Sequence, residues 1–204
     1  VTILDSQIAS VTPDHPRYPA SLRGRSDVRI FQAAGPVELL SLPATGFFCS
    51  SQCPGSIILK TFDQITALRD RQRVLIGGFH SPMEWECLRI LLRGRQPVVW
   101  VPARSIQGMR LKPELEPAFA AGRLLILSPF PERCRRITAS MAEERNRFVA
   151  ALAVESFVAH AAPGSRTRAL CEELASQGKP VVMIDDPANR ELLGQQGIGP
   201  IRSV

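Results

Sequence analysis

Small and hydroxylated residues recur where the apolar runs of this sequence end, and that pattern suits anion binding. Ser50-Ser51-Gln52-Cys53-Pro54-Gly55-Ser56 and Pro163-Gly164-Ser165-Arg166-Thr167 read as loops that open into helices. At such a point unpaired backbone N–H groups and the positive end of the helix dipole attract phosphate. Neither loop contains G-x4-G-K-[ST] or G-x-G-x-x-G, so no nucleotide cofactor of those classes is expected. A third segment, Gly77-Gly78-Phe79-His80-Ser81-Pro82-Met83-Glu84, sets His80 four residues before Glu84. That pair could work as base and acid, or His80 could donate to a ligand. His160 ends another apolar run, and Arg104 follows a further one.

Arg145-Asn146-Arg147 lies on a stretch that continues as Phe148-Val149-Ala150-Ala151-Leu152. Arginines on an apolar helix are costly unless partnered. Glu143 and Glu144 could supply partners, and a phosphate could do so instead. Cys49 and Cys53 have a C-x3-C spacing, but no second close Cys/His pair accompanies them, so reduced thiols are expected rather than a zinc site. The cysteines are five, an odd number, and come without a secretory pattern, so a disulfide framework is not expected. Trp85, Trp100, Phe130 and Phe148 read as core.

The chain carries a net charge of +6 over 204 residues, and of its 25 basic residues only Lys60, Lys112 and Lys179 are lysines. The arginine excess falls in two central blocks, 69–110 and 132–168. Arginine's planar fork suits phosphate, which points to a polyanionic partner; codon bias is the other source of such a composition. With 45% hydrophobic residues the chain can bury a core, and no apolar run approaches the ~18 residues of a membrane span. The expectation is a soluble, cytoplasmic protein with no membrane partner.

These residues need elements to position them. Apolar runs at Gly46–Ser51, Val74–Gly77, Pro97–Val101, Leu124–Leu127, Ser156–His160 and Pro180–Ile184 alternate with amphipathic stretches. The helices are expected near Ser56–Asp70, Met83–Arg93, Lys112–Ala121, Met141–Ala153, Arg166–Gln177 and Pro187–Gln196. Uniformly apolar strands spaced by helices imply βαβ units. The fold class is therefore α/β, a Rossmann-like doubly wound, mainly parallel sheet with helices on both faces. Residues 46–204 form this domain, and 1–45 read as an irregular lead-in packed on it, with Val28–Ala33 as an edge strand. In such sheets ligands bind beyond the carboxyl ends of the strands, where all the loops named above would lie.

Arg145-Asn146-Arg147 followed by the apolar stretch resembles the RNR-I-I-x-x-L signature of the DNA-processing protein A (DprA, or Smf) family. Tyr18-Pro19-x-x-Leu22 resembles its YPxxL, and Phe31-x-x-x-Gly35 its L-Y-x-x-G. Ser128-Pro129-Phe130-Pro131 stands where the family has S-E-Y-P. Pro163-Gly164-Ser165-x-Thr167 and Gly178-Lys179-Pro180-Val181 follow in the family's order, so the resemblance covers about residues 18–197. Two segments depart from it. Cys49-Ser50-Ser51-Gln52 replaces V-G-S-R, removing a phosphate-facing arginine, and Leu88 stands where a histidine is usual. No segment resembles the winged-helix domain of many members, so a divergent, domain-only relative is expected.

The resemblance implies a protein of DNA processing and recombination that binds single-stranded DNA, forms homo-oligomers and helps to load a RecA-type recombinase, without catalysis. Its nucleic-acid contacts would come from Ser50, Ser51, Gln52, Gly55, Gly77, Gly78, His80, Ser81, Arg104, Arg145, Asn146, Arg147, His160, Gly164, Ser165, Arg166 and Thr167. The family sits in a wider Rossmann-like group with the lonely-guy phosphoribohydrolases, whose loop is P-G-G-x-G-T-x-x-E. That keeps open a small-nucleotide sensor, or a phosphoribohydrolase-like enzyme using Glu84 and His80. No metal is expected.

Overall fold

The computed structural model describes residues 2–24 and 30–201. Its strands are β1 (Ile8–Val11), β2 (Phe31–Ala34), β3 (Ala44–Phe48), β4 (Val74–Gly77), β5 (Val98–Trp100), β6 (Leu124–Ser128), β7 (Glu155–Val158), β8 (Val181–Met183) and β9 (Ile198–Pro200). They form one sheet in the order β1-β2-β6-β5-β4-β3-β7-β8-β9. The run from β6 to β9 is parallel throughout. At one edge β2 pairs antiparallel with β6, and β1 with β2. The helices are α1 (Gly55–Asp70), α2 (Pro82–Leu92), α3 (Glu116–Ala120), α4 (Ala139–Leu152), α5 (Arg166–Ser176) and α6 (Arg190–Leu193).

The apolar strands are explained by burial on both faces. Along β6, Leu124 and Ile126 join the core under α1, α2 and α3, while Leu125 and Leu127 join the core under α4 and α5. Val74, Leu75 and Ile76 of β4 alternate in the same way. The pleat sends successive side chains to opposite faces, so these strands are apolar on both sides, with only small hydroxyls such as Thr45, Ser128 and Ser156 buried among them. Each Leu or Ile so buried contributes roughly 1.5–3 kcal/mol. The α/β, doubly wound, mainly parallel architecture is thus the one expected.

Several local boundaries differ. β3 starts at Ala44 and stops at Phe48, because the chain turns away from Cys49 onward. The helix expected over Lys112–Ala121 is a 3-10 turn, Pro113–Leu115, followed by the short α3; Pro113 and Pro117 each remove a backbone donor. Pro187–Gln196 divides similarly into a 3-10 turn and α6. Residues before 44 supply β1 and β2, and Val11, Tyr18, Leu22 and Phe31 enter the main core. Of the edge strand expected at Val28–Ala33, residues 28 and 29 lie outside the described residues. The observed β2 is an inner strand, because β1 covers its outer side.

The topology fixes where a ligand can enter. From β3 the chain builds outward through β4, β5 and β6, then crosses to β7 on β3's other side. The strand order therefore reverses beside β3, the point at whose carboxyl edge open α/β sheets form their ligand crevice.

Candidate nucleic-acid interface

The two loops at this crevice are fastened to each other. Ser50 is buried; its N–H donates to His160 O at 2.9 Å, and its Oγ accepts from Ala162 N at 3.0 Å. Ser50 Oγ also bonds Ser165 Oγ at 3.0 Å. Ser165 is the N-cap of α5 and accepts from Arg168 N at 3.1 Å. Gly164 takes a positive φ of 68°, which lets the loop turn into the helix. Ser51, Gln52 and Gly55 are exposed, as are Gly164 and Arg166, while Thr167 is buried. The N-cap of α1 is Pro54, which supplies no side-chain cap; Ile57 and Ile58 N–H bond back to Pro54 O, and the Asp186 carboxylate, a partner of Ser56, lies at this helix start. The loop that leads into α1 is thus tied to the start of α5 at the switch point.

The loop after β4 is built around a buried carboxylate. Glu84 Oε2 accepts from His80 N at 3.0 Å and Ser81 N at 2.9 Å, while Glu84 N donates to Ser81 Oγ at 3.2 Å. This reciprocal capping box starts α2. This carboxylate, named as a catalytic group only for the enzyme alternative, holds the loop. Phe79 sits at φ 44° in the left-handed region, a strained position for a bulky residue, and its buried ring stacks on Phe47 at 6.0 Å. His80 follows it and is exposed. Trp100 Nε1 donates to Gly78 O at 3.1 Å, fixing the loop from β5.

Arg145 lies under this loop rather than on the surface. Its guanidinium is buried, with Nη1 donating to Val101 O at 3.2 Å and Nε to Asn146 Oδ1 at 2.7 Å. Burial pushes its pKa down, and the nearby Glu84 charge opposes that shift. A Cβ on Gly78 would overlap the guanidinium, so glycine at 78 is what lets Arg145 pack there. Arg145 links α4 to the backbone just after β5 and packs against Gly78.

Arg147 and Arg166 are the exposed arginines beside it. Arg147 pairs with Glu173 at 3.2 Å and Arg166 with Glu143 at 2.5 Å. With Asn146 they line a cleft of about 60 Å³ between α4 and α5. His160 is buried, its Nδ1 2.9 Å from Asn189 Oδ1, and Asn189 Nδ2 donates to Ala159 O and Ile184 O. It ties the β7 and β8 ends together. Among the described residues no group of three or more His, Cys, Asp or Glu is placed to hold a metal ion.

Toward the other edge, Ser105 N donates to Cys134 O at 2.8 Å and Ser128 Oγ to Arg104 O at 2.8 Å. These bonds bring half-buried Arg104 beside the loop that carries exposed Arg133, Arg135 and Arg136. The last three belong to an arginine-rich block of the sequence, but only the link between the β5 and β6 loops marks them as part of the edge.

No protein-family model matches the chain, and no curated protein matches it in sequence. Solved structures do. DNA processing protein A of Streptococcus pneumoniae matches with a TM-score of 0.74 at 17% identity, over 94% of this chain and 71% of that one. DNA processing protein A of Helicobacter pylori, which has a single-stranded DNA binding mode, matches at 0.75 with 16% identity over 94% and 90%. A molybdenum cofactor carrier protein of Chlamydomonas reinhardtii follows at 0.54 with 12% identity, over 79% and 91%. No helix among the described residues is long and apolar enough to cross a membrane. The carboxyl-edge crevice just described is therefore carried on the Rossmann-like fold of DNA processing protein A.

Proposed function

We propose that this protein binds single-stranded DNA along the carboxyl edge of its sheet and acts, without catalysis, in DNA processing and recombination. The observation that carries this reading is the Ser50–Ser165 bond, which ties the loop before α1 to the start of α5 at the switch point. Phosphates meet the backbone around Ser51, Gln52 and Gly55, and around Gly164, Arg166 and Thr167. Arg147 and Arg166 flank this centre, and Arg104 with Arg133, Arg135 and Arg136 extends it. Gly77, Gly78, Ser81, Arg145, Asn146 and His160 act by holding the loops, and His80 is the exposed donor at the middle of the edge. The likeness to the Helicobacter pylori protein supports a single strand as ligand. The motif resemblance supports homo-oligomers and delivery to a RecA-type recombinase.

The second reading is a small phosphorylated nucleotide in the same crevice, favoured by the likeness to the molybdenum cofactor carrier. Titration of labelled oligo-dT at low salt, followed by competition with mononucleotides, separates the two. Tight oligonucleotide binding that mononucleotides fail to displace supports the strand reading. Absence of oligonucleotide binding refutes it.

A further inference from the structure

Helix α1 presents a ridge of outward side chains. Leu59, Asp63, Ala67 and Arg71 stand four residues apart, so each is the surface neighbour of the next. Leu59 is 68% exposed, Asp63 and Arg71 are exposed, and Ala67 is half-buried. Among the described residues the Asp63 and Arg71 side chains take no hydrogen bond or ion pair. Nearby Lys60 is engaged by Asp186, and Arg69 by Asp70.

The sheet beside this ridge is also open. In β8, Val181 and Met183 are buried on the α5 side, whereas Val182, on the α1 side, is half-buried. Clefts of about 450 and 560 Å³ lie between α1 and this part of the sheet, and Gln64 and Ile201 line both. Gln64 is only 9% exposed, yet its amide makes no hydrogen bond among the described residues. An occupant must therefore bring polar atoms for Gln64, opposite charges for Asp63 and Arg71, and apolar groups for Val182 and Ile201.

We propose that the occupant is a second copy of this chain, docked α1 against α1 across a two-fold axis at Ala67. The ridge is complementary to itself. Asp63 and Arg71 lie one step to either side of Ala67, so reversing one helix over the other sets Asp63 against the partner's Arg71. The same operation sets Arg71 against the partner's Asp63. That reciprocity defines an isologous interface. Ridges of every fourth residue interlock at a crossing of about −50° with axes about 8–10 Å apart, and alanine at the crossing permits that approach. Four residues make slightly more than one turn, so the ridge drifts around the helix. Asp63 and Ala67 border the smaller cleft and Arg71 the larger, whereas Leu59 borders neither. The partner's Leu59 then falls beyond Arg71, where Leu68, Val182 and Ile201 line the larger cleft. The exposed leucine fills the open cleft, twice per dimer.

This deepens the reading above by giving its homo-oligomers a face, and its test needs no nucleic acid. The full chain is followed by analytical ultracentrifugation across a salt series. The wild type should be a dimer whose dissociation constant rises with salt. Asp63→Arg sets like charges together at both symmetric contacts, as does Arg71→Asp, and each alone should raise that constant at least about 100-fold. Mixed in equal amounts, the two variants should pair with each other, because the mixture restores both ion pairs. Ala67→Cys puts a thiol at the axis, and mild oxidation should link two copies through position 67. A wild-type chain that stays monomeric at low salt overturns the proposal. So does a dimer indifferent to both charge reversals, a failure of the two variants to pair, or a dimer that does not link through position 67. A dimer of this kind that binds no oligo-dT upholds the interface and refutes the nucleic-acid reading; oligo-dT binding by a monomer does the reverse.

Discussion

Ser50 Oγ and Ser165 Oγ lie 3.0 Å apart across the point where the sheet's strand order reverses. One serine lies two residues past β3 and the other caps α5, so a single side-chain contact couples both candidate phosphate-facing loops. Ser165→Ala removes this contact and the cap on Arg168 N together, and should cost about 1 kcal/mol of stability. Ser50→Ala removes the acceptor for Ala162 N and should cost about as much. Urea unfolding measures both. A double mutant that loses less than the sum of the singles would confirm the coupling.

The ion pairs Arg147–Glu173 and Arg166–Glu143 hold arginine charge that a strand would otherwise take up. Both pairs are solvent-exposed, so Glu143→Gln and Glu173→Gln should change stability by less than about 0.5 kcal/mol. Their effect on oligo-dT should be opposite to that of most substitutions, namely tighter binding with a steeper salt dependence. Weaker binding would mean that these arginines are not in the strand's path.

Gly78→Ala should destabilise the protein by roughly 1–3 kcal/mol, because the added methyl overlaps the Arg145 guanidinium. In an Arg145→Ala background the same substitution should cost much less. Trp100, bonded to Gly78 O, gives a local fluorescence signal for the change.

Glu84→Ala should lower stability by about 1–2 kcal/mol through loss of the capping box. Glu84→Gln retains an acceptor for His80 N and Ser81 N and should lose less. A screen for N-glycosidic cleavage should find none in the wild-type protein. Base release abolished by Glu84→Gln would return this residue to a catalytic role.

Acid should expose the Lys60–Asp186 contact, 2.9 Å long. The hydrogen bond from Lys60, then that from Ala188 N, hold the Asp186 carboxyl below its ordinary value. Its stabilisation is therefore present above the unfolded carboxylate pKa and is lost as pH falls through the folded one. The stability gap between wild type and Asp186→Asn should narrow as pH drops below about 4. A gap independent of pH would assign the contact no electrostatic part.

The central strands and helices were legible because burial on both faces leaves uniformly apolar runs and clear helix starts. The outer strands were not. Ile198-Gly199-Pro200 of β9 contains two residues that strands avoid, and β1 is four residues with a mixed burial pattern. Among the site residues, the loops at Ser50 and Gly164 could be read from hydroxyls and glycine at strand ends. The burial of Arg145 could not, because an Arg-Asn-Arg triplet has the composition of an exposed face. Only the missing side chain at Gly78, far away in sequence, makes room for it. Glu84 likewise satisfies two patterns at once, a carboxylate near a histidine and the third residue of a capping box. The hydrogen bonds from His80 N and Ser81 N form the second.

The central claim is tested most directly by the affinity for labelled oligo-dT measured across a salt series. The account predicts binding at low salt that weakens steeply, with a log–log slope of about −0.7 for each phosphate engaged, and a shallower slope in the Arg147→Ala, Arg166→Ala double variant. Binding that is absent at low salt, or indifferent to both salt and these arginines, would contradict it.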